Sequence, residues 1–419
     1  MDSSFYSQWL PLIIFGVVIL YFIIRKWKKI EVQNLIPYVI YFALYKTKIG
    51  IKFMRNFSKK HRKLVHWFGY IGIVMGFVIM IYSCVVLSIY FWQLVTQPKT
   101  TQVMPSIVLP FKAKGVLYVP FFYWIISLIL LMIFHEGSHG IVASSHKIKI
   151  KSSGFAILSL GLPILPAAFV EPDEKQLEKK KLSQRLSVYA AGPFMNIILG
   201  VIFFAVLLGL MMPVISNASS VPKGQITFNM MSGELGKVNG LKVVGYYEPN
   251  GAVSPLKTAG IPINSTIKEI NSQKIYNLDS LSATLAKKHP GDNITIMLTN
   301  NKTDTATLVK ENPEIANSTQ PLLGGNFEYN TSPLTYPWSW LINPIYIFIY
   351  WFALLNLGIG MFNLMPMGSK RMGLVLDGGF MAEALFTSLF KKRGEIIYKT
   401  VSFIFFIIVF TIVISPFIF

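Results

Sequence analysis

The chain has 419 residues, of which 53% are hydrophobic, and its mean hydropathy is +0.51. These values exclude an ordinary soluble domain and are typical of a protein that crosses a membrane several times. The net charge is +20, but the basic residues cluster in a few loops, which indicates membrane orientation and not nucleic-acid binding. Cys84 is the single cysteine, so a disulfide framework and a cysteine metal site are excluded.

Six apolar segments are long enough to cross a hydrocarbon core of about 30 Å. The first is followed by four basic residues and has no evident cleavage site, so we expect a retained anchor. The chain is therefore predicted to be a polytopic α-helical membrane protein with about six transmembrane helices. The expected spans are approximately 5–24, 67–92, 117–139, 186–212, 338–365 and 396–419.

The loops between these spans differ in charge. Residues 25–66 hold twelve Lys/Arg against one acid, residues 141–187 hold eight, and residues 366–395 hold five. Because positively charged loops stay in the cytoplasm, these three should be cytoplasmic, whereas 93–116 and 213–337 should lie outside. The last region also contains six Asn-x-Ser/Thr sequons, which agrees with an extracytoplasmic surface. We expect a multi-pass cell-membrane protein in contact with the lipid bilayer.

Two shorter apolar segments are not predicted to span the membrane. Residues 33–45 are expected in the interface or against the helix bundle. Residues 153–170 contain two glycines and two prolines, which disfavour a helix, so we expect a re-entrant or interfacial β-hairpin on the cytoplasmic side; a simple amphipathic loop is the alternative. The hairpin should line the functional site, and an exposed strand edge there could hold an extended peptide.

The residues that carry chemistry lie at the end of the third span, where the sequence reads HEGSH. His135 and His139 stand four residues apart, so on a helix both imidazoles point at one metal ion. Glu136 lies beside them, where it can take the proton of a metal-bound water. Ionisable residues in a membrane segment are costly unless they are paired or bind a metal. Hydrogen-bonded core histidines are the alternative, but that role does not require Glu136 at this spacing.

A catalytic zinc has three protein ligands and one open position. The best candidate for the third ligand is Asp377, which lies between an apolar run and a Gly-Gly pair, on the same predicted side as the histidines. Glu383 is the rival ligand, and an ordinary helix N-cap is the other possible role of Asp377. Asn196, in the AGPFMN stretch of the fourth span, is expected mainly to pack helices together.

Residues 225–310 alternate strand-like runs with one helical stretch, LDSLSATLAKKH. A small mixed α/β domain that folds alone is expected here. The predicted organisation has four parts: a two-helix region with a basic loop, a core membrane region, an extracytoplasmic domain and a C-terminal membrane region. Their boundaries are 1–116, 117–216, 217–335 and 336–419.

These motifs resemble the site-2 protease family of intramembrane zinc metalloproteases. HEGSH matches the first motif of the family and LDGG its second, while FNLMP is similar to the Asn-x-x-Pro run that precedes LDG. AGPFMN is similar to a motif of the next core helix, and PAAFVEP to a membrane-associated β-loop ahead of it. Residues 259–275 are similar to the middle of a PDZ domain, and YKTKIG resembles archaeal-type members. The resemblance covers about 120–400.

The resemblance implies one Zn²⁺ per chain, held by His135, His139 and Asp377, with Glu136 as general base and acid. It also implies hydrolysis of peptide bonds in transmembrane protein substrates, and no nucleic-acid partner. Asn363 of FNLMP and, less directly, Asn196 are the candidates for contacting the substrate or the oxyanion. The PDZ-like domain is expected to bind a peptide or to screen substrates by size.

The chain departs from the family pattern where GSKRMG separates Asn-x-x-Pro from LDG, which leaves the role of Asn363 open. Two other functions are compatible with the sequence. One is a membrane zinc protease of another family, acting at the cytoplasmic face with Glu383 as ligand. The other is a transporter or a non-catalytic scaffold that presents the PDZ-like domain. The transporter is disfavoured because no repeat relates the two halves, and the scaffold because all four residues of the expected site are present.

Overall fold

The computed structural model divides into two compact units. The first unit consists of Met1–Leu207 and Phe348–Phe419, and the second of Leu208–Ile347. The residues that the structure describes are 3–36, 40–97, 107–160, 162–217, 226–229, 234–249, 252–310, 321–333, 339–369 and 374–418.

Six of the described helices are long and apolar enough to cross a membrane, which confirms the number of spans expected from the sequence. These are α1 (Ser3–Lys26), α3 (Arg62–Thr96), α4 (Phe121–Ser145), α6 (Leu182–Asn217), α9 (Ser339–Asn363) and α11 (Lys392–Ile418). The shorter helices are α2 (Ile51–Lys60), α5 (Glu174–Glu178), α7 (Pro255–Thr258), α8 (Leu278–Leu285) and α10 (Asp377–Phe390).

The helices of the first unit pack through one face and leave the other apolar face exposed. On α3, the buried positions recur every three or four residues, as the 3.6-residue period of a helix requires. Several of them are glycines, which allow neighbouring helices to approach closely. Large apolar side chains such as Trp67, Val74 and Ile81 are exposed on the same helix. This arrangement is expected where the solvent is lipid.

A four-stranded antiparallel sheet belongs to the first unit, in the order β1-β2-β5-β6. Its strands are β1 (Ile30–Ile36), β2 (Ile40–Thr47), β5 (Ile150–Leu160) and β6 (Leu162–Pro172). Strands β5 and β6 form the hairpin expected at 153–170. The described residues of segment 33–45, expected in the interface or against the helix bundle, belong to β1 and β2, while 37–39 lie outside the described residues. Strand β2 pairs with the edge of β5 that faces away from β6 and satisfies its backbone groups.

Two small ribbons complete the first unit. Strands β3 (Ile107–Leu109) and β4 (Val116–Tyr118) pair in parallel before α4. Strands β16 (Gly368–Ser369) and β17 (Leu374–Val375) pair antiparallel before α10.

The second unit is built on a seven-stranded sheet whose main path is β12-β11-β9-β8-β15, with β10 beside β9 and β7 beside β8. Buried aliphatic residues such as Leu241, Ile267 and Ile296 form its core. Helix α8 begins with a capping box in which Asn277 and Ser280 satisfy each other's backbone N–H groups. The seven strands of this sheet are β7 (Ile226–Asn229), β8 (Glu234–Tyr246), β9 (Thr266–Ile270), β10 (Gln273–Lys274), β11 (Asn293–Leu298), β12 (Thr303–Thr307) and β15 (Gly325–Pro333). The strands β13 (Val309–Lys310) and β14 (Pro321–Leu322) pair with each other in a separate ribbon.

Candidate metal centre

Two histidines and one aspartate meet inside the first unit. Helix α4 carries His135 and His139 one turn apart, and their Nε2 atoms lie 3.2 Å from each other. The Asp377 carboxylate approaches both, with Oδ2 at 3.1 Å from His135 Nε2 and Oδ1 at 3.3 Å from His139 Nε2. The three side chains are between 8% and 17% exposed. Among the described residues, these three side chains form a group whose ligand atoms are close enough together to hold one metal ion.

Asp377 reaches the histidines because of how α10 begins. Leu376 is the N-cap residue and Asp377 is the first residue of the helix, so the aspartate does not have the N-cap role that the sequence left open. The GSKRMG insertion is closed by the ribbon of β16 and β17, and the Leu376 N–H donates to the Met367 carbonyl at 3.1 Å. The two ends of the insertion therefore lie together. Asp377 is placed close to Met367, although nine residues separate the two along the chain.

Glu136 is held by the hairpin next to α4. Its Oε2 accepts a hydrogen bond of 2.9 Å from the backbone N–H of Val170 in β6. Among the described residues only Oε2 is engaged in this way, so Oε1 is available to accept a proton. The strand therefore holds the carboxylate beside the histidines through one of its two oxygens.

Helix α6 sets the tautomer of neutral His139. The Nδ1 atom of His139 lies 2.7 Å from the Val188 carbonyl, and a carbonyl can only accept. The proton of the neutral imidazole must therefore reside on Nδ1, which leaves a lone pair on Nε2. That lone pair points toward His135 and Asp377, as a metal ligand requires.

Asn196 contacts His135 from the same helix. Its amide nitrogen lies 3.0 Å from His135 Nδ1, and its fully buried Oδ1 has no hydrogen-bond partner among the described residues. A metal ion at Nε2 of His135 would leave the imidazole proton on Nδ1, which then needs an acceptor. If the side-chain amide of Asn196 is rotated by half a turn, its nitrogen and oxygen exchange places and Oδ1 accepts this proton. The unpaired oxygen therefore fits a metal-bound His135.

The donor set suits zinc. Two imidazole nitrogens and one carboxylate oxygen are ligands that zinc prefers, and tetrahedral ligands at zinc distances lie about 3.3 Å apart, close to the separations observed. Without a cation, three electron-rich groups would converge in a buried place. A Cβ added at Gly192 of α6 would overlap both Nε2 atoms, so a glycine is needed where α6 crosses the site.

Two other predicted residues, Asn363 and Glu383, are not members of this group. Asn363 is the half-buried last residue of α9, and within the described part of the chain no hydrogen bond joins it to Glu136 or to the three candidate ligands. Glu383 lies more than one turn further along α10, outside the group. No local sequence pattern identifies the N–H of Val170 or the carbonyl of Val188, whereas the small residues of the AGP stretch indicate a close helix approach at Gly192.

Comparisons with known proteins match the part of the chain that contains these residues. The model of peptidase family M50 matches residues 123–412. An uncharacterized protein of the archaeon Methanocaldococcus jannaschii is 29% identical over 367 residues, which cover 86% of this chain and 81% of that protein. The PDZ domain of an SdrC-like protein from Listeria monocytogenes is a similar solved structure, with 16% identity and a TM-score of 0.17, over 21% of this chain and 87% of that one.

The TM-score is too low to assign a PDZ fold to any part of the chain. The family match, in contrast, covers more than half of it and includes both histidines, Glu136 and Asp377. The protein is therefore a multi-pass membrane member of a metallopeptidase family: the chain belongs to peptidase family M50, the site-2 protease family.

Proposed function

We propose that the protein is an intramembrane zinc metalloprotease that hydrolyses peptide bonds of transmembrane proteins. The observation that carries the proposal is the convergence of two imidazole Nε2 atoms and one carboxylate beside Glu136. His135, His139 and Asp377 would hold one zinc ion per chain. Zinc bound there supplies Lewis-acid chemistry, because it polarises a carbonyl and lowers the pKa of water.

The protein's own groups divide the remaining work. The Glu136 carboxylate takes a proton from the attacking water and delivers it to the leaving amine, which is general base and general acid catalysis by one group. The Val170 N–H holds this carboxylate in place through Oε2. Asn196 positions His135, and the Val188 carbonyl positions His139. Asn363 is proposed to contact the substrate or the oxyanion.

The substrate is proposed to bind in an unwound form. A transmembrane helix occupies its carbonyls with its own hydrogen bonds, so the scissile carbonyl is accessible only where the helix opens. Residues with weak helix propensity, such as Gly, Pro, Asn and Ser, should therefore lie near the cut. An extended segment of the substrate is proposed to bind along the outer edge of strand β6, next to Glu136.

The active site is proposed to lie toward the cytoplasm, with the second unit outside. This orientation rests on the basic loops 25–66, 141–187 and 366–395. The second unit is proposed to be PDZ-like and to screen substrates or bind a peptide, on the resemblance of residues 259–275. Deletion of 217–335 should then allow cleavage of substrates whose extracytoplasmic part has not first been shortened. Unchanged substrate selection after the deletion would contradict this role.

The function is tested by measuring zinc content and cleavage of a single-span substrate in proteoliposomes. The wild type should carry about one zinc per chain and cleave the substrate. Asp377→Ala should lose zinc and activity, while Glu136→Gln should keep zinc and lose at least about a hundredfold in rate, the scale of general acid–base catalysis.

Glu383→Ala is the matched control on α10, because its carboxylate lies outside the group of candidate ligands. Retention of zinc by Asp377→Ala together with loss of zinc in Glu383→Ala would favour the alternative protease with Glu383 as ligand. Cleavage that survives Glu136→Gln would overturn the proposed mechanism.

A further inference from the structure

A cavity of the first unit lies where α4 ends. Its volume is about 430 Å³, and it is lined by α2, the start of α3, the last residues of α4 and the segment leading into β5. It contains none of the residues of the candidate metal centre. The cavity brings together two basic segments, 25–66 and 141–187, which lie far apart in the sequence.

Five cationic side chains line this cavity, and neither aspartate nor glutamate does. No salt bridge links any of the five to a carboxylate of the described residues, whereas Lys46 and Lys399 do have such partners. Like charges around one cavity repel each other unless an anion lies between them. The five residues are Arg55, Lys59, Arg62, Lys147 and Lys149.

The cations are not needed to complete the end of α4. Helix C-termini leave carbonyls that cationic side chains often satisfy. Here the carbonyls of residues 142–144 accept from backbone N–H groups of residues 146–148, and the Ser145 carbonyl accepts from His66 Nε2 at 3.3 Å. The positive charges around the cavity are therefore available to a ligand.

Ser58 supplies an independent indication of a ligand. Its side chain is 1% exposed and lines the cavity, and its Oγ has no hydrogen-bond partner among the described residues. A buried hydroxyl without a partner is costly. A ligand oxygen in the cavity would accept its proton. Arginine and lysine with a hydroxyl donor are groups that bind phosphate.

The surroundings favour a lipid over a free anion. Helix α2 is strongly amphipathic, and Phe53 on α2 and Leu64 and Trp67 on α3 are between 64% and 69% exposed. Basic pockets beside membrane helices with exposed apolar neighbours are suited to anionic headgroups at the bilayer surface. We propose that this cavity binds the phosphate of an anionic membrane lipid.

The test compares two double variants of the full-length protein that remove the same charge from α2. Arg55→Gln/Lys59→Gln removes cations that line the cavity, and Lys52→Gln/Lys60→Gln removes exposed cations of the same helix that do not. Binding of phosphatidylglycerol to the purified protein in zwitterionic micelles is measured by native mass spectrometry, with phosphatidylcholine as the uncharged comparison. Zinc content at the wild-type level verifies that each variant is folded.

The cavity variant should bind phosphatidylglycerol about thirtyfold more weakly, since each cation near an anionic lipid contributes about fivefold. The control variant should lose less than about threefold, and Ser58→Ala should weaken binding without any change of charge. An equal loss in both double variants would show diffuse attraction and overturn the proposal. Displacement of the lipid by inorganic phosphate of equal affinity would show a site for the free anion and overturn the assignment to lipid.

Discussion

The two imidazoles of the candidate metal centre are oriented by different partners on one helix. The Val188 carbonyl fixes His139, and the Asn196 amide fixes His135. Both partners lie on α6, which also contributes Gly192 at the point of closest approach. At the scale of residues, the candidate ligands are therefore on α4 and α10, but their geometry depends on α6.

Gly192→Ala should lower zinc affinity about ten- to hundredfold, the range seen when groups supporting metal ligands are disturbed. The new Cβ would overlap the Nε2 atoms of both histidines, and one ring must move. Zinc affinity is measured by competition with a chelator. Gly209→Ala, on the same helix with open space around its Cβ, is the control. Equal affinity in the two variants would contradict the role of Gly192.

His146 is a buried histidine outside the metal centre. Its Nε2 lies 2.9 Å from Ser187 Oγ, and its Nδ1 has no partner among the described residues. The Ser187 hydroxyl donates to the Gln184 carbonyl, so His146 must donate from Nε2. Burial is the main cause that lowers the pKa of His146 to about 4, and positive charge on His66, Lys180 and Arg62 acts in the same direction.

This shift predicts a stability change with pH. The pKa of His146 is lower in the folded state than its ordinary value of 6.5, so the unfolded state binds more protons between these values. The contribution of neutral His146 is therefore complete above pH 6.5 and is lost as the pH falls toward about 4. Thermal unfolding of wild type and His146→Gln, measured near pH 7.5 and pH 5, checks this.

The wild type should lose more thermal stability than His146→Gln over this pH range, because glutamine keeps a donor for Ser187 but does not titrate. Protonation of the candidate metal ligands affects both proteins alike, so it cancels in the comparison. Equal losses would show that His146 does not contribute to the pH dependence.

Among the elements, β6 has a double role. It closes the four-stranded sheet through β5, and its backbone at Val170 holds the Glu136 carboxylate. The ribbon of β16 and β17 acts comparably on the other side of the site, because it absorbs the insertion and returns the chain to Asp377. Hydrogen-bonded strands thus position catalytic candidates that lie on helices.

Val170→Pro should lower the cleavage rate at least about tenfold while zinc content stays unchanged, because proline removes the N–H that binds Glu136 but no candidate metal ligand. Val170→Ala keeps this N–H and serves as the control at the same position. Its rate should stay within about threefold of the wild type. Similar rates for the two variants would show that the backbone hydrogen bond is not required.

The secondary structure of the first unit follows from local patterns to a large extent. Apolar length predicts six spans, and the prolines and glycines of 153–170 predict a hairpin. The pairing of β2 with β5 is not predictable in this way, because it joins residues about 110 positions apart through backbone groups that every residue carries. Likewise, nothing in the local sequence links Val170 to Glu136.

On the scale of the whole molecule, the charge distribution predicts how the chain is inserted. Three basic loops should share one side of the membrane, and the second unit should lie on the other. Cys84 is the single cysteine, so the Cys84→Ala variant contains none. One cysteine added to this variant then reports on which side of the membrane its own segment lies.

Lys287→Cys in the second unit should react with a membrane-impermeant maleimide on intact cells, whereas Asn56→Cys in α2 should react only after permeabilisation. Both residues are exposed, so a lack of reaction reflects the membrane and not burial. Labelling of Asn56→Cys on intact cells would reverse the proposed orientation.

The sequence by itself determined the membrane class, the six spans and the residues that could ligate a metal, because hydropathy and the HEGSH and LDGG spacings are local properties. Tertiary structure alone decided that Asp377, 238 residues after His139, approaches both histidines while Glu383 does not. It also decided the tautomer of His139 and the basic cavity beside α4. These features depend on distances between distant segments, which follow from helix packing and strand pairing and not from any local pattern.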